Sequence, residues 1–216
     1  MKLGIAIRGY HSPNLLNLTL ESIFKADKIS NIIIGIYLEK SISDEIRQEL
    51  FTIISNYPID KVLISGFYSN NTFDNTYPLG DMFNKENCNI VMLLDEGIII
   101  KSETLLYIDS LNMSATIYGL HLSDVNKANS WSQDFDSAGF VISKPSFDYF
   151  KRWVDAKLYL SHVWYPSEED SNRKRLWELD LIPIQSLFET LMKVFLVTQG
   201  GVCKYPDMSY TTIVNR

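Results

Sequence analysis

The chain has 216 residues, which is enough for one sizeable hydrophobic core or for one core with a small appended lobe. Its hydrophobic fraction of 46% is ordinary for a soluble protein, and no apolar stretch approaches the roughly 18 to 20 residues of a membrane-spanning helix. The net charge of −6 argues against nucleic acid as the main partner, because binding to phosphates needs a basic surface.

The first residues, MKLGIAIRGYHS, predict a β-strand, because their apolar part is too short for a signal peptide. We therefore expect a soluble, cytoplasmic protein. Cys88 and Cys203 are far apart and lie beside apolar residues, so we expect two buried free thiols. The three histidines lack metal-ligand spacing and are interpreted as structural.

Short apolar runs alternate with stretches of helical periodicity in the first half of the chain. The predicted strands cover residues 3–7, 31–38, 60–68 and 89–94, and the predicted helices cover 14–27, 43–57 and 76–87. Because the strands are continuously apolar and each is followed by a helix, the pattern predicts a parallel sheet with helices on both faces.

The second half of the chain is more irregular. It predicts, in order, a helix over 101–111, a strand over 114–122, a polar loop, a strand over 137–143, a helix over 144–160, a charged and aromatic loop, and a helix over 180–197. Pro183 is expected to begin the last helix, Gly200-Gly201 to end it, and residues 202–214 to form a closing strand or extended tail. No repeat or linker divides the chain, so we predict one α/β domain over 1–216.

Parallel sheets bind ligands at the carboxyl ends of their strands. The residues expected at this edge are Arg8-Gly9-Tyr10, Glu39, Ser69-Asn70-Asn71 and Asp95-Glu96-Gly97. The last group places two adjacent carboxylates inside the apolar run NIVMLLDEGIII. A buried ionised carboxylate is costly without a partner, so a metal ion, backbone donors or exposure at the strand tip must compensate.

Three segments of this sequence resemble the GT-A fold of nucleotide-sugar glycosyltransferases, including family-2-like enzymes and N-acetylglucosaminyltransferases. IVMLLDEGIIIKSETLLYI (90–108) is similar to the family's fourth strand with its terminal acids and following helix. SAGFVISKPSFDYFKRW (137–153) resembles a strand and helix on the acceptor side, and CKYPDMSYTTIV (203–214) resembles the closing segment. The resemblance implies a Rossmann-like, mostly parallel sheet, with a nucleotide-sugar-binding half at 1–111 and an acceptor-side half at 112–216.

The resemblance implies a hexosyltransferase that moves a sugar from a nucleoside-diphosphate sugar to a hydroxyl of a glycan or glycoprotein acceptor. A UDP-sugar such as UDP-glucose is the favoured donor. The family holds Mn²⁺ or Mg²⁺ at the strand tip to offset the charge of the leaving diphosphate, and Asp95 and Glu96 are the implied ligands. This sequence has Gly97 where the family has its last acid. Three alternatives follow: Glu96 binds the metal ion, one carboxylate binds it together with water molecules, or no metal ion is bound. A viral source is a further hypothesis, which no residue establishes.

The resemblance also implies roles in donor binding and in catalysis. The implied donor-binding residues are Arg8, Gly9, Tyr10, Glu39, Asn71, Asp81 and Asp95. A guanidinium suits a phosphate, a tyrosine ring can stack on the base, and a strand-two acid can accept ribose hydroxyls. Asp180 and Glu189 are the candidate general bases for an inverting reaction, with Glu189 preferred by its distance from Cys203; in a retaining reaction neither need be a base.

Plainer interpretations stand beside these roles. Asp95 and Glu96 can form an exposed turn, Arg8 a surface salt bridge, Tyr10 a cover for the sheet edge, Glu39 a solvated acid and Asp81 a helix cap. Trp131 lies in a loop expected to line the acceptor side.

Two other functions compete with the transferase. A sugar-phosphate nucleotidyltransferase would need a glycine- and arginine-rich loop after the first strand, and RGYHSPN is not one. An inactive domain of the same fold that binds a glycan or a protein partner is favoured by Gly97.

Overall fold

Ten β-strands and six α-helices make up the described part of the chain, which comprises residues 2–9, 12–27, 31–39, 42–65, 76–113, 115–121, 128–132, 139–156 and 184–214 of a computed structural model. The strands are β1 Leu3–Gly9, β2 Ile32–Glu39, β3 Lys61–Ser65, β4 Ile90–Asp95, β5 Ile98–Ile100, β6 Ile117–Gly119, β7 Trp131–Ser132, β8 Phe140–Ser143, β9 Cys203–Lys204 and β10 Thr211–Ile213. The helices are α1 Pro13–Lys25, α2 Asp44–Ile54, α3 Thr76–Asn84, α4 Thr104–Ser110, α5 Lys144–Asp155 and α6 Ile184–Thr198.

The central sheet contains eight strands in the order β3-β2-β1-β4-β8-β6-β9-β7. The first four are parallel to one another, β8 is antiparallel to both of its neighbours, and β9 is parallel to β6 and antiparallel to β7. All strands except β8 and β7 therefore run in one direction. This confirms the mostly parallel α/β sheet that the sequence predicts.

Alternating side chains of the strands divide the interior into two cores. Ile5 of β1 and Met92 of β4 lie in the first core, which also contains Leu16 of α1, Leu50 of α2 and Leu105 of α4. The adjacent strand residues, Ala6 and Leu93, lie in the second core, which also contains Phe83 of α3, Phe150 of α5 and Phe195 of α6. Because successive side chains of a strand point to opposite faces, the two cores occupy the two faces of the sheet, each covered by helices.

Helix α1 brings its amino terminus to the carboxyl ends of the strands. The side chain of Ser12 accepts the backbone N–H of Leu15 as N-cap, and Pro13 occupies the first turn, where its missing N–H costs nothing. Residues 16, 19, 20 and 23 face the first core, and this spacing is that of one helical face. The helix thus follows β1 closely and fixes the backbone around the sheet edge.

A second sheet consists of β5 and β10, which pair antiparallel. The sequence interpretation did not separate β5 from the predicted strand and helix around it. The turn at Glu96-Gly97 ends β4 and allows the β-branched run Ile98–Ile100 to start a new strand. Helix α4 accordingly begins at Thr104, three residues later than predicted.

Several predicted elements are shorter in the structure or extend beyond the described residues. Strand β6 covers only Ile117–Gly119, and β7 lies within the predicted polar loop. Residues 66–68, 157–160 and 180–183, the ends of three predicted elements, lie outside the described ranges. Cys88 and Cys203 are buried thiols that form no disulfide, as predicted. Among the helices that the structure describes, none is long and apolar enough to span a membrane.

Candidate functional site

The carboxyl ends of β1, β2, β3 and β4 lie side by side. This row of strand ends is the sheet edge at which a ligand is expected, and it is distinct from the outermost strands β3 and β7. In the register of these strands, Arg8 is the partner of Tyr37 on one side and of Asp95 on the other. Glu39, the last residue of β2, pairs with Ser65 at the end of β3. Segments distant in sequence are therefore neighbours at this edge, as the parallel topology requires.

Arg8 and Asp95 form an ion pair across the two central strands. Nε and Nη2 of Arg8 both lie 2.5 Å from Oδ1 of Asp95. The side chain of Arg8 is 5% exposed and that of Asp95 is 34% exposed, so the guanidinium lies beneath the carboxylate. Oδ2 of Asp95 accepts no hydrogen bond from any described residue, which leaves one oxygen available at the edge.

Glu96 is directed away from this ion pair. Its backbone N–H donates to the carbonyl oxygen of Arg8 at 2.9 Å, and its carboxylate oxygens accept the backbone N–H of Ser12 at 3.2 and 3.3 Å. The side chain is 7% exposed. A carboxylate at the N-terminus of α1 interacts favourably with the helix dipole and with unsatisfied backbone donors. Backbone donors and a helix N-terminus therefore compensate this buried acid.

Gly97 has a backbone conformation that favours glycine. Its φ is +86°, and a Cβ at this position would lie 3.3 Å from the carbonyl oxygen of Val214 and 3.4 Å from Cδ1 of Leu15. Its N–H donates to the side-chain oxygen of Thr19 at 2.9 Å, and its carbonyl accepts the N–H of Val214 at 2.9 Å. The position that carries an acid in the resembled family is here a packed turn.

The arrangement of Asp95, Glu96 and Gly97 does not fit the implied metal site. Arg8 holds the carboxylate of Asp95 on the face of the second core, whereas Ser12 holds that of Glu96 toward α1 on the opposite face. Within the ranges that the structure describes, no three His, Cys, Asp or Glu side chains come together as a metal site. Of the two implied ligands, Asp95 alone remains at the sheet edge, and its carboxylate is already paired with a guanidinium.

Asp81 lies in a buried network below the same face of the sheet. Its Oδ2 accepts hydrogen bonds from the hydroxyl of Tyr37 at 2.8 Å and from Nζ of Lys61 at 2.6 Å. Nζ of Lys85 lies 2.9 Å from Oδ1, and Lys61 also contacts Glu86 at 2.5 Å. The Asp81 side chain is 1% exposed. The carboxylate is therefore engaged by Tyr37 and Lys61 within the fold and by the more exposed Lys85 from the surface.

Burial and charge act in opposite directions on this network. Burial raises the pKa of Asp81, but hydrogen bonds from Lys61, Lys85 and Tyr37 outweigh it and hold the pKa below its ordinary value of 3.8. Burial, followed by the hydrogen bond to Asp81, raises the pKa of Tyr37. Burial lowers the pKa of Lys61, but its two acidic partners raise it above 10.5 overall. Asp81 and Lys61 are therefore both charged across the neutral range, whereas the hydroxyl of Tyr37 stays protonated.

The remaining predicted residues are placed only in part. Tyr10, Asn71 and Asp180 lie outside the described residues, and Glu39 and Glu189 are described by their backbone alone, at the end of β2 and within α6. Gly9 ends β1, where a Cβ would lie 2.9 Å from Cδ2 of Leu38. Of the predicted residues, the structure thus brings Arg8, Gly9 and Asp95 together at the sheet edge, together with the backbone of Glu39.

Two contributors to this region were missed by the sequence interpretation. Thr19 is fully buried on the apolar face of α1 and binds Gly97, and Tyr37 faces the second core and binds Asp81. The sequence did contain a signal for each. Thr19 has the helical spacing of the buried leucines of α1, and Tyr37 places a hydroxyl inside an apolar strand. Buried polar groups are normally hydrogen-bonded, so each implies a partner that the sequence does not name.

A groove of about 1030 Å³ lies at the opposite edge of the sheet, near the start of β4 and the end of β8. Four of its charged side chains form ion pairs along α5, with Lys144 contacting Asp148 and Lys151 contacting Asp155. Because ligands of such sheets bind at the carboxyl ends of the parallel strands, volume alone does not make this groove the functional site.

Comparisons with known proteins were made at the level of sequence and of structure. The sequence matches no protein-family model and no curated protein. The structure is similar to the mannosyltransferase PcManGT from Pyrobaculum calidifontis in complex with GDP-Man and Mn²⁺, with a TM-score of 0.53 and 10% identity over 70% of this chain and 46% of that one. It is also similar to S. aureus TarS 1–349 in complex with UDP, with a TM-score of 0.55 and 13% identity over 98% of this chain and 60% of that one.

A longer TarS structure gives a TM-score of 0.56 at 13% identity and covers the whole of this chain. This chain spans 37% of that protein, and less than two thirds of the other two. These similarities establish the GT-A-like glycosyltransferase fold that the sequence predicts.

Proposed function

We propose that this chain is a glycosyltransferase domain that moves a hexose from a nucleoside-diphosphate sugar, preferably a UDP-sugar, to a hydroxyl of a glycan or glycoprotein acceptor. In this reaction the bond from the anomeric carbon to the diphosphate oxygen breaks and a bond to the acceptor oxygen forms. The acceptor proton passes to a base, and the nucleoside diphosphate leaves. Residues 1–111 would bind the donor and residues 112–216 the acceptor.

The observation that carries this proposal is the Arg8–Asp95 pair at the carboxyl edge of the parallel strands. This is the edge at which sheets of this architecture bind nucleotides. An ion pair with a buried guanidinium contributes little net stability compared with apolar residues, so its presence there favours a role in binding. The similarity to structures in complex with GDP-Man and with UDP supports a nucleotide donor.

The other predicted residues complete the proposal. Tyr10 would stack on the base, Glu39 would accept ribose hydroxyls, and Asn71 would add a polar contact from the loop after β3. Glu189, or Asp180 in its place, would act as the general base if the reaction inverts. Asp81 would hold Tyr37, the strand partner of Arg8, in position, because its carboxylate binds the hydroxyl of Tyr37 and two lysines.

A divalent cation is not assigned a step in this proposal. The resemblance implies Mn²⁺ or Mg²⁺ on Asp95 and Glu96, and PcManGT was solved with Mn²⁺. In this chain the two carboxylates are held on opposite faces of the sheet, so they do not form the implied pair.

Isothermal titration with UDP, GDP and UDP-glucose tests donor binding directly. Saturable binding of a nucleotide is expected, with UDP preferred. Asp95→Asn should weaken it, because the variant keeps the shape of the side chain but takes away the charged partner that holds the guanidinium of Arg8 in place. Asp148→Asn is a matched control in the groove at the opposite edge and should bind as the wild type does. If none of the three ligands binds the wild type, the proposal fails.

An inactive binding domain of the same fold is the second candidate, and Gly97 is the observation that favours it. It predicts binding of a glycan without any nucleotide. A hydrolysis assay with UDP-glucose separates the two, because a transferase slowly releases UDP in the absence of acceptor and a binding domain does not.

A further inference from the structure

We infer that the donor site of this chain works without a divalent cation, with the Arg8–Asp95 ion pair in the cation's place. The inference rests on the proposed function and concerns how the same site balances charge. It follows from the disagreement between the implied metal site and the placement of the residues expected to form it.

The carboxylate of Asp95 is already neutralised. A metal ligand at a strand tip must offer negative charge to the ion, but here both Nε and Nη2 of Arg8 lie 2.5 Å from Oδ1 of Asp95. A divalent cation on Oδ2 would lie within a few ångströms of that fixed positive charge. Little of the repulsion would be screened, because Arg8 is buried.

The two residues that follow Asp95 are committed to the turn. The Glu96 carboxylate accepts the N–H of Ser12 and is 7% exposed on the α1 side, so moving it to the edge would leave helix donors unsatisfied. Gly97 supplies no ligand, and its φ of +86° with Val214 close by disfavours any side chain there. Neither residue can complete a coordination sphere with Asp95.

Arg8 takes the place of the cation beside Asp95. Mg²⁺ or Mn²⁺ bound there would offset negative charge at the sheet edge. The guanidinium of Arg8 already neutralises the Asp95 carboxylate and keeps its proton near neutral pH, so Asp95 adds no uncompensated negative charge where a diphosphate would bind. The Asp95 side chain is 34% exposed, so its Oδ2 can accept a hydroxyl or N–H group of the nucleotide rather than a metal ion. The site therefore binds a nucleoside diphosphate without a metal ion between Asp95 and the phosphates.

The test compares UDP binding by calorimetry in excess EDTA and in millimolar MnCl₂. We expect dissociation constants that agree within about twofold. Binding that tightens more than about tenfold with Mn²⁺ would overturn the inference and leave the proposed function intact. The absence of UDP and GDP binding in both buffers would overturn both.

Two substitutions of Arg8 supply an independent readout. Arg8→Met frees Asp95 from its partner, so we expect metal-free UDP binding to weaken about tenfold or more and Mn²⁺ to restore part of it. Arg8→Lys keeps the charge and should remain indifferent to Mn²⁺. A purely structural role for Arg8 would lower affinity equally in both buffers, which contradicts the inference. If Arg8→Met fails to fold by circular dichroism, the Arg8→Lys and wild-type titrations still decide the question.

Discussion

Both carboxylate oxygens of Glu96 face the backbone N–H of Ser12, at 3.2 and 3.3 Å, although the two residues are separated by most of the first half of the chain. This contact ties the turn after β4 to the N-terminus of α1. It assigns to Glu96 a structural role that is distinct from that of the adjacent Asp95.

Glu96→Gln is expected to lower the free energy of unfolding by about 1 kcal/mol, because glutamine keeps an acceptor for Ser12 but loses the favourable charge at the helix N-terminus. Urea denaturation followed by circular dichroism measures this change. Glu21→Gln in α1, which removes an exposed ion pair with Lys25, should leave the urea midpoint of unfolding unchanged. A large loss of UDP affinity in Glu96→Gln without loss of stability would contradict the structural role.

Gly97→Ala is expected to destabilise the protein by about 1 to 2 kcal/mol, because a Cβ at positive φ is strained and would contact Val214 and Leu15. Gly200→Ala is the matched control, since Gly200 also has a positive φ of +66° but a Cβ added there would meet no atom within 4 Å. Chemical denaturation of both variants separates strain from crowding. Equal losses would mean that the contacts with Val214 and Leu15 cost nothing.

Thr19→Val should cost about 1 to 2 kcal/mol, because it removes the buried acceptor of the Gly97 N–H while keeping the shape of the side chain. Thr52→Val removes a comparable hydroxyl from an exposed turn of α2 and should have a much smaller effect. Thermal unfolding of the two variants side by side measures the difference. A neutral Thr19→Val would show that the second acceptor of this N–H, the carbonyl of Leu15, suffices.

The Asp81 network predicts a pH dependence of stability with a definite sign. The pKa of Asp81 is below its ordinary 3.8 in the folded protein, so its stabilising contribution is complete above that pH and is lost as the pH falls through the lower, folded pKa. The pKa of Lys61 is above its ordinary 10.5, so its contribution is present below that pH and is lost as the pH rises through the higher, folded pKa. Stability should therefore decline at both extremes.

Asp81→Asn tests the acidic limb of this profile. The variant should lose about 3 kcal/mol near neutral pH, because it leaves Lys61 with one partner fewer in a buried site. It should also show a shallower decline of stability below about pH 4 than the wild type. Urea titrations at several pH values measure both effects. An unchanged acidic slope would show that Asp81 does not titrate differently in the folded and unfolded states.

The sequence predicts the sheet because its signals are local. Apolar runs such as those within residues 3–7 and 89–94 alternate with helices, and right-handed crossovers leave few arrangements for parallel strands. The same reasoning places Arg8 and Asp95 at one edge. Their pairing follows from the strand register, which no local pattern specifies, and it decides whether Asp95 is a free carboxylate or half of an ion pair.

The partner of Glu96 was equally beyond sequence reasoning. Glu96 is adjacent to Asp95, and adjacent acids suggest one shared ligand. The two side chains diverge because β4 ends at Asp95 and a turn begins at Glu96. Ser12 becomes the partner of Glu96 because α1 packs beside β5. Gly97 was identified as a departure from the family's acid, but its positive φ depends on contacts with α1 and Val214.

The pairing of β5 with β10 has a consequence for the order in which the molecule can be assembled. Residues Ile98–Ile100 emerge from the ribosome long before Thr211–Ile213, so the segment directly after Asp95 lacks this strand partner until nearly the whole described chain has been synthesised. Contacts between such distant segments form late and slow the folding reaction. The turn at Glu96-Gly97, which leads from Asp95 into β5, is therefore expected to become rigid only in a late stage of folding.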